Sequence, residues 1–445
     1  MPVNFNQDQV IILLGAGASY QAGIPVSAQM ITRVEELLKD QWSEYRELYY
    51  CIKSSILYAA GIRGDFSGSH YNIEALVGML DELIRGNEHP LFPFIGSWSP
   101  KLIEVTRGDL GKIREFRDLI VRRLRDQWVQ LKYDSDANYY AGLHEFQKEY
   151  NYPLRVFSLN YDLCVEKACK KAKIQRGFGP DKKWEWRLFD ESNESNADIY
   201  LYKLHGSIDW TRGKDDKLTY VEGVTHIEPE DLAIIFGVTY KLQYVDPFLF
   251  FAYQFRLCTL EDLTVLVCIG YGFGDDHING ILRQSLLHNP SRRLVSVSPK
   301  SIDGMTPGQI VDVEKGQVEL ILSRLGLKGD EHGKQVHWWN YGAKEFLESH
   351  LKIAKLAGIV PLEQEPFPEL LGEAAIPLAP DVGPPIAEPA PTPLHIVPPL
   401  AELSSGGVTP ASSVLTDEGP GNGSAPAKPA GPRGGRPRKP KSDGH

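Results

Sequence analysis

The chain begins with a short apolar run and then changes to a helical pattern. The run from Val10 to Leu14 contains no polar residue, and a run of this length and composition predicts a strand buried on both faces. Beyond Pro25, apolar residues recur at helical spacing as far as about residue 150. The pattern therefore predicts a large helical insertion, about residues 30–150, after the first strand.

Runs typical of buried strands resume after the insertion and alternate with helical segments. They cover residues 154–159, 199–204, 232–236, 263–269, 294–297 and 335–339. Residues 210–221 predict a hairpin, and residues 276–287 predict a helix that follows a buried strand. This alternation predicts an α/β fold, in which a Rossmann-like, mostly parallel sheet carries helices on both faces.

The periodic pattern ends near residue 360, so we expect the ordered domain to span residues 1–360. From Pro361 onward the chain holds 19 of its 31 prolines, which predicts a disordered linker over residues 361–432. Residues 433–445 are basic. The segment from Arg433 to Lys441 (R-G-G-R-P-R-K-P-K) resembles an AT-hook, a motif that lies in the minor groove of A·T-rich DNA. A solubilising basic tail with weak, salt-sensitive binding is the alternative interpretation.

Composition narrows the class of protein. The hydrophobic content of 42% with 24% charged residues is ordinary for a globular protein in water, and the net charge of −10 argues against a protein that coats nucleic acid. The five cysteines form no C-x-x-C pair, so we expect no zinc ribbon, no bound metal and no disulfide framework. No window approaches the roughly 20 apolar residues that span a bilayer. We therefore expect a cytoplasmic protein without a membrane segment.

A loop of small residues, Gly15 to Ser19, follows the first strand. Such a loop between a strand and a helix is a typical phosphate cradle, because it brings backbone N–H groups close to a ligand. It lacks the lysine of a P-loop, and Tyr20 stands where the dehydrogenase fingerprint has a third glycine. A tight turn that binds no ligand is the other interpretation of this loop.

Polar residues also follow three of the later predicted strands. They are Asn160 and Asp162 after the first of these strands, His205 after the next, and Tyr271, Asp275 and His277 after the third. Because the carboxyl ends of parallel strands meet at one edge of a sheet, we expect these residues and the glycine loop to surround one crevice. Each residue alone has a structural explanation: Asn160 as a helix cap, Asp162 in a first helical turn, and His205 as a hydrogen-bonded turn residue.

Together, the segments G-A-G-A-S…G-I-P, S-L-N-Y-D, K-L-H-G-S and G-Y-G-F-G-D-D-H-I-N resemble the sirtuin-like domains of bacterial anti-phage defence proteins. The resemblance covers about residues 9–290, including the helical insertion, and the order and spacing of the segments agree. It implies that NAD binds across a Rossmann-like crevice.

The resemblance also assigns roles to individual residues. The dinucleotide phosphates would lie on Gly15, Ala16, Gly17, Ala18 and Ser19. Asn160 would be the essential amide, with Asp162 beside it, and His205 would be the catalytic imidazole. Gly270 and Gly272 would line the adenosine side, and Tyr271, Asp275 and His277 complete the expected NAD-binding set.

One departure from the family affects the expected reaction. Sirtuins that deacylate proteins carry a four-cysteine zinc ribbon, which this chain lacks. The resemblance therefore implies an NAD glycohydrolase, for which NAD is the substrate and no cofactor is needed. A module that senses NAD or ADP-ribose without cleaving it, and a protein deacylase or ADP-ribosyltransferase, remain the alternatives. Because unregulated NAD loss would kill the host, we expect a homo-oligomer, a partner ATPase or a phage-derived activator to control the activity.

Overall fold

The computed structural model describes residues 5–64, 71–88, 99–190, 197–213, 217–222, 227–235, 246–328 and 330–361. They all belong to one compact unit, Met1–Phe367; the rest of the chain, Pro368–His445, forms a second unit. The linker expected over residues 361–432 lies outside the described residues except for its first residue. The basic segment from Arg433 to Lys441 lies wholly outside them, so both interpretations of it stay predictions.

The described strands form two sheets. In chain order they are β1 Val10–Leu14, β2 Leu154–Ser158, β3 Ile174–Gln175, β4 Ile199–Lys203, β5 Gly206–Arg212, β6 Leu218–Tyr220, β7 Leu232–Ile234, β8 Val265–Ile269, β9 Arg293–Val297 and β10 Val336–Trp339. Seven of them make a parallel sheet in the order β10-β9-β8-β1-β2-β4-β3. The predicted α/β fold with a mostly parallel sheet is confirmed.

Strand β1 occupies the centre of this sheet and sets the level at which its neighbours end. Its last residue, Leu14, pairs with Ser158 of β2 on one side and with Ile269 of β8 on the other. The segments that follow these three strands therefore leave the sheet side by side, although they come from distant parts of the chain. This is the position at which open parallel sheets bind ligands.

A second, antiparallel sheet has the strand order β6-β5-β7. The hairpin predicted over residues 210–221 is confirmed as β5 paired with β6, and the run at 232–236 contributes β7 to this sheet and not to the parallel one. Gly206 makes the change of sheet possible. Its φ is +86°, and a Cβ there would lie 2.2 Å from the carbonyl oxygen of Ala233. The chain therefore turns sharply directly after His205.

Helices fill both sides of the parallel sheet. Between β1 and β2 lie α1 Ser27–Leu37, α2 Arg46–Ile62, α3 Ile73–Glu88, α4 Ser99–Thr106, α5 Gly111–Arg123 and α6 Gly142–Tyr150, with 3-10 helices at Ala16–Ala22, Ser43–Tyr45 and Asp134–Ala141 and a π-helical turn at Leu124–Trp128. After β2 come α7 Cys164–Ala168, α8 Phe248–Leu260, α9 Asp276–His288, α10 Pro307–Leu325, α11 Asp330–Gly333, α12 Ala343–Glu345 and α13 Ile353–Ala357, with a 3-10 helix at Trp186–Phe189 and a π-helical turn at Phe346–His350. The predicted helical insertion is thus present.

Alternate residues of β1 point into two separate apolar cores. Ile12 and Leu14 pack with the buried side chains of the helical insertion, whereas Ile11 and Leu13 pack with those of α8, α9 and α10. Burial of each such side chain stabilises the fold by about 1.5–3 kcal/mol. The edge of the sheet where β1 ends is therefore held from both faces.

Some described helices have ends that the sequence signals locally. Asn72 caps α3, because its Oδ1 accepts the N–H of Ala75 at 2.9 Å. The long helix α10, which the apolar pattern did not single out, begins with Thr306 in a reciprocal capping box with Gln309 and ends at Gly326 in the left-handed conformation. Among the helices described, none combines the length and the hydropathy that crossing a membrane requires.

Candidate functional site

A cavity of about 500 Å³ lies at the edge of the sheet where β1, β2 and β8 end. Residues that follow strands of the parallel sheet line it: Gly15, Ala16, Gly17, Leu159, Asn160, Tyr161, Asp162, His205, Gly270, Tyr271, Gly272, Gly274 and Asp275. Further lining comes from residues 24–28, Met30, residues 71–74 and Val129 of the helical insertion, and from Arg324. The structure thus brings residues 15–17 of the glycine loop together with Asn160, Asp162 and His205 around one cavity, whereas Ala18 and Ser19 are not among its lining residues.

The glycines of the loop allow two backbone segments to touch. The N–H of Gly15 donates to Ile269, and that of Gly17 donates to Gly270, both at 2.9 Å. A Cβ at Gly270, whose φ is +64°, would lie 2.1 Å from the backbone nitrogen of Ala18. These glycines are therefore required by the contact between the loops, whether or not a ligand is bound.

The same contacts correct the prediction that the backbone N–H groups of the loop are free to bind phosphate. The N–H groups of Gly15 and Gly17 are engaged as described, and the N–H of Ala18 donates to the carbonyl of Gly15 at 2.9 Å. The segment that follows is the seven-residue 3-10 helix Ala16–Ala22, not a long α-helix with an N-terminal dipole. Three of the expected phosphate-binding amides are thus used within the protein, because the loop is packed against the loop after β8.

Ser19 is the centre of a buried hydrogen-bond network. Its hydroxyl donates to Oδ2 of Asp162 at 2.7 Å, and it accepts from the hydroxyl of Tyr140 at 2.8 Å and from Nδ2 of Asn160 at 3.1 Å. Because a carboxylate only accepts, the single Ser19 proton goes to Asp162, and the Tyr140 hydroxyl must be the donor of its own bond. Every hydrogen-bonding capacity of the Ser19 hydroxyl is therefore filled.

This network fixes the orientation of the Asn160 amide. Its Nδ2 donates both to Ser19 and to the carbonyl oxygen of Gly15, the latter at 3.0 Å, and its backbone N–H donates to the hydroxyl of Ser158 at 3.1 Å. Both amide protons are used, so the Oδ1 atom is the part of the side chain that remains for a ligand. Asn160 lines the cavity, and it offers a hydrogen-bond acceptor there.

Hydrogen bonds within the protein engage both carboxylate oxygens and the backbone carbonyl of Asp162, so this residue stabilises the surrounding backbone. Its Oδ1 accepts the N–H of Cys164 at 3.0 Å, its Oδ2 accepts the proton of Ser19, and its backbone carbonyl accepts from the ammonium of Lys203. For the stretch that contains Asn160 and Asp162, the sequence allows a structural alternative, in which Asn160 caps the following helix and Asp162 lies in its first turn. Burial, together with nearby Cys164 and Asp162, raises the pKa of Tyr140 well above its ordinary value, so its phenol stays protonated.

His205 also lines the cavity and pairs with Asp275. The distance from its Nε2 to Oδ2 of Asp275 is 3.2 Å, and both side chains are about 95% buried. Oδ1 of Asp275 meanwhile accepts the N–H groups of His277 and Ile278 and so caps α9. Because a carboxylate only accepts, a hydrogen bond across the distance from Nε2 to Oδ2 requires the proton to be on Nε2. The other ring nitrogen, Nδ1, is buried and has no hydrogen-bond partner among the described residues.

The remaining residues predicted after β8 have different positions. Tyr271 lines the cavity with its ring, but its hydroxyl donates to Oδ1 of Asn279 at 2.9 Å, and burial raises its pKa well above the ordinary value. Gly270 and Gly272 also line the cavity. His277 is the exposed second residue of α9, it is not among the lining residues of the cavity, and its backbone N–H donates to Asp275. The expectation that His277 contacts the ligand is thus not supported by its position.

Three residues at or behind the cavity were not found from the sequence. Arg324 and Glu74 line it, and Tyr140 supports it from the helical insertion. Glu74 lies in the first turn of α3 and Arg324 in the last turn of α10. Acidic and basic residues are common at these helix positions for electrostatic reasons alone, so the sequence carries no signal for a site there. No group of three or more His, Cys, Asp or Glu side chains able to hold a metal ion occurs in the described parts of the chain.

Comparisons with known proteins find a similarity that covers part of the chain. Residues 154–309 match the family model described as a SIR2-like domain, and this segment contains Asn160, His205 and Asp275. A solved structure of a Sir2 homologue mutant in complex with ADP-ribose aligns with 12% sequence identity and a TM-score of 0.35, covering 79% of this chain and 94% of that one. Among curated proteins, none matches the chain.

Proposed function

We propose that the protein is an NAD glycohydrolase that cleaves NAD⁺ to nicotinamide and ADP-ribose. The observation that carries the proposal is that Asn160 and His205 line the same cavity: both amide protons of Asn160 are used, which leaves its Oδ1 to accept, and the buried Nδ1 of His205 has no hydrogen-bond partner among the described residues. Both residues fall in the segment similar to SIR2-like domains. Nε2 of His337 is also buried without a partner among the described residues, so the position of His205 at the cavity, and not the unpaired nitrogen alone, supports its role.

The chemistry of NAD suits these groups. The nicotinamide ring is cationic in NAD⁺ and leaves as a neutral molecule, so no acid catalyst is needed when its bond to the ribose C1 breaks. The transition state resembles an oxocarbenium ion, as in glycoside cleavage. The carboxylates of Glu74, Asp162 and Asp275 belong to the lining of the cavity and would stabilise this positive charge.

The second half of the reaction needs a water molecule and a base. As a water oxygen bonds to C1, one water proton would pass to Nδ1 of His205, while Asp275 stabilises the resulting imidazolium through Nε2. Oδ1 of Asn160 would orient the water or the nicotinamide amide by accepting a hydrogen bond from it. The products are nicotinamide, ADP-ribose and a proton, so atoms and charge balance.

We propose further that this activity is controlled and serves to deplete NAD during anti-phage defence. The support is the resemblance of the four sequence segments to defence proteins. Control would come from self-association or from a partner that responds to infection. In cells that express the protein, NAD should then fall after phage challenge and not before it.

The direct test compares His205→Ala and Asn160→Ala with the unchanged protein. Each substitution should lower nicotinamide release from NAD, measured by liquid chromatography, by at least about 100-fold. Both side chains are buried, so the melting temperature should fall by a few degrees, but both variants should stay folded at the assay temperature. His277→Ala is the matched control, because His277 is exposed and lies outside the cavity. Undiminished turnover in either cavity variant would contradict the proposed function.

A further inference from the structure

A second cavity adjoins the first. It has a volume of about 370 Å³ and lies beside the carboxyl ends of β8, β9 and β10. The two cavities share a boundary made of Gly17, Gly270, Tyr271, Gly272 and Arg324. A dinucleotide has the matching shape, because it consists of two nucleosides joined by a narrow diphosphate.

The boundary leaves room for a linking group at Gly272. A Cβ built on Gly272 would meet no heavy atom within 4 Å, whereas one on Gly270 would collide with the backbone of Ala18. Gly270 is therefore packed against the protein, and Gly272 faces open space on the border of both cavities. A diphosphate that passes from one cavity to the other would cross this position.

Without a nearby cation, the charges around the first cavity would make binding of a diphosphate at this boundary unfavourable. Three carboxylates, those of Glu74, Asp162 and Asp275, belong to its lining, and they would repel a diphosphate. The amides of Gly15, Gly17 and Ala18 donate within the protein and give little compensation. Among the described residues that line the cavity, Arg324 is the one whose side chain is permanently cationic.

A contact to the boundary itself holds Arg324 in place. Its Nη1 donates to the carbonyl oxygen of Gly272 at 2.5 Å, so the guanidinium reaches from the last turn of α10 to the loop after β8. A cation in a last helical turn is favourable for the helix dipole alone, but that effect does not require a contact with a loop 52 residues away. A guanidinium carries further donors in a fork that suits phosphate oxygens.

We propose that Arg324 binds the diphosphate of the dinucleotide where it crosses from one cavity to the other. The proposal rests on the proposed function, since it names the residue that holds the same substrate. Arg324 lies beyond the 154–309 segment that is similar to SIR2-like domains, in the part of α10 that extends past that segment.

Calorimetric titration with ADP-ribose and with adenosine tests this role. Arg324→Gln should weaken ADP-ribose binding by about 10- to 100-fold, the range expected for loss of a charge-assisted hydrogen bond, and should leave adenosine binding within twofold. Arg324→Lys should recover part of the affinity. Lys315→Gln is the matched control, because Lys315 is exposed on the same helix and lines neither cavity.

The outcomes separate this proposal from the proposed function. Equal ADP-ribose affinity in Arg324→Gln and the unchanged protein, or a parallel loss of adenosine binding, would overturn the role of Arg324 alone. Failure of the unchanged protein to bind either NAD or ADP-ribose at millimolar concentration would overturn both. The melting temperature of each variant, expected within a few degrees of the unchanged protein because residue 324 is exposed, shows that the fold is retained.

Discussion

Two parts of the site differ: a rigid side, made of Ser19, Asn160 and Asp162, which hydrogen-bond to one another, and an open side, made of His205, whose buried Nδ1 has no hydrogen-bond partner among the described residues. An unsatisfied buried polar atom typically costs about 1–3 kcal/mol, and a satisfied network avoids that penalty. The hydrogen bonds therefore make the first of these sides rigid. On the open side, Nδ1 of His205 stays available to react, and leaving it unsatisfied lowers the stability of the fold. This difference indicates where a ligand is positioned and where its bond is broken.

The largest expected effect is that of His205→Gln on the open side. Loss of the base should lower the kcat for nicotinamide release by about 100- to 10,000-fold. Stability should change little, because the side-chain amide of glutamine can donate to Asp275 in place of the imidazole. Steady-state kinetics and thermal unfolding on the same preparation check both parts, and a destabilised but active variant would show that the imidazole is structural.

Asp275→Asn tests whether Asp275, the partner of His205, contributes to catalysis through its negative charge. Asparagine caps a helix about as well as aspartate, so α9 should stay intact. Without the negative charge the imidazolium is less stable, and kcat should fall about 10- to 100-fold with the KM for NAD nearly unchanged. The comparison variant Asp275→Ala should in addition lose about 1 kcal/mol of stability through the missing cap. A KM effect without a kcat effect would argue that Asp275 only binds the substrate.

Tyr140→Phe tests the rigid side. It removes the donor to Ser19 and should lower the free energy of unfolding by about 1–2 kcal/mol, with less than about a tenfold loss of kcat. Tyr139→Phe is the matched neighbour, because its hydroxyl donates at 2.6 Å to the carbonyl of Ala18 and not to the network of Ser19. Chemical denaturation should give similar losses for both, and only Tyr140→Phe should change the activity.

The smallest effect on stability is expected at Gly272. The added methyl group of Gly272→Ala meets nothing in the protein, so the melting temperature should not change, but ADP-ribose should bind several-fold more weakly if it crosses this position. Gly270→Ala provides the contrast, because its Cβ would collide with Ala18 in a left-handed backbone conformation. Unaltered ADP-ribose affinity in Gly272→Ala would place the ligand elsewhere.

Much of the fold and the central part of the site could be predicted because their signals are local. An unbroken apolar run marks β1, and polar residues directly after such runs, such as Asn160 and His205, lie at the ligand-binding edge of any open parallel sheet. This prediction did not require the order of the strands, because the carboxyl ends of all strands in a parallel sheet lie on the same edge.

The other parts depend on contacts between distant residues. Tyr140 meets Ser19 across 121 positions of the chain, and in sequence it is one aromatic residue among several in the insertion. The assignment of β7 to a second sheet follows from the turn at Gly206, which the apolar pattern does not contain. The amides of the glycine loop illustrate the same limit, since only the packing against Gly270 shows that they are already engaged.

A crystal structure of the protein with ADP-ribose tests the central claim directly, because it depends neither on an activator nor on turnover. The diphosphate should lie beside Gly270 and Gly272, with the terminal ribose between Oδ1 of Asn160 and Nδ1 of His205 at about 3 Å from each. ADP-ribose bound outside this cavity, or bound with its adenine against His205, would contradict the assignment of these residues to NAD cleavage.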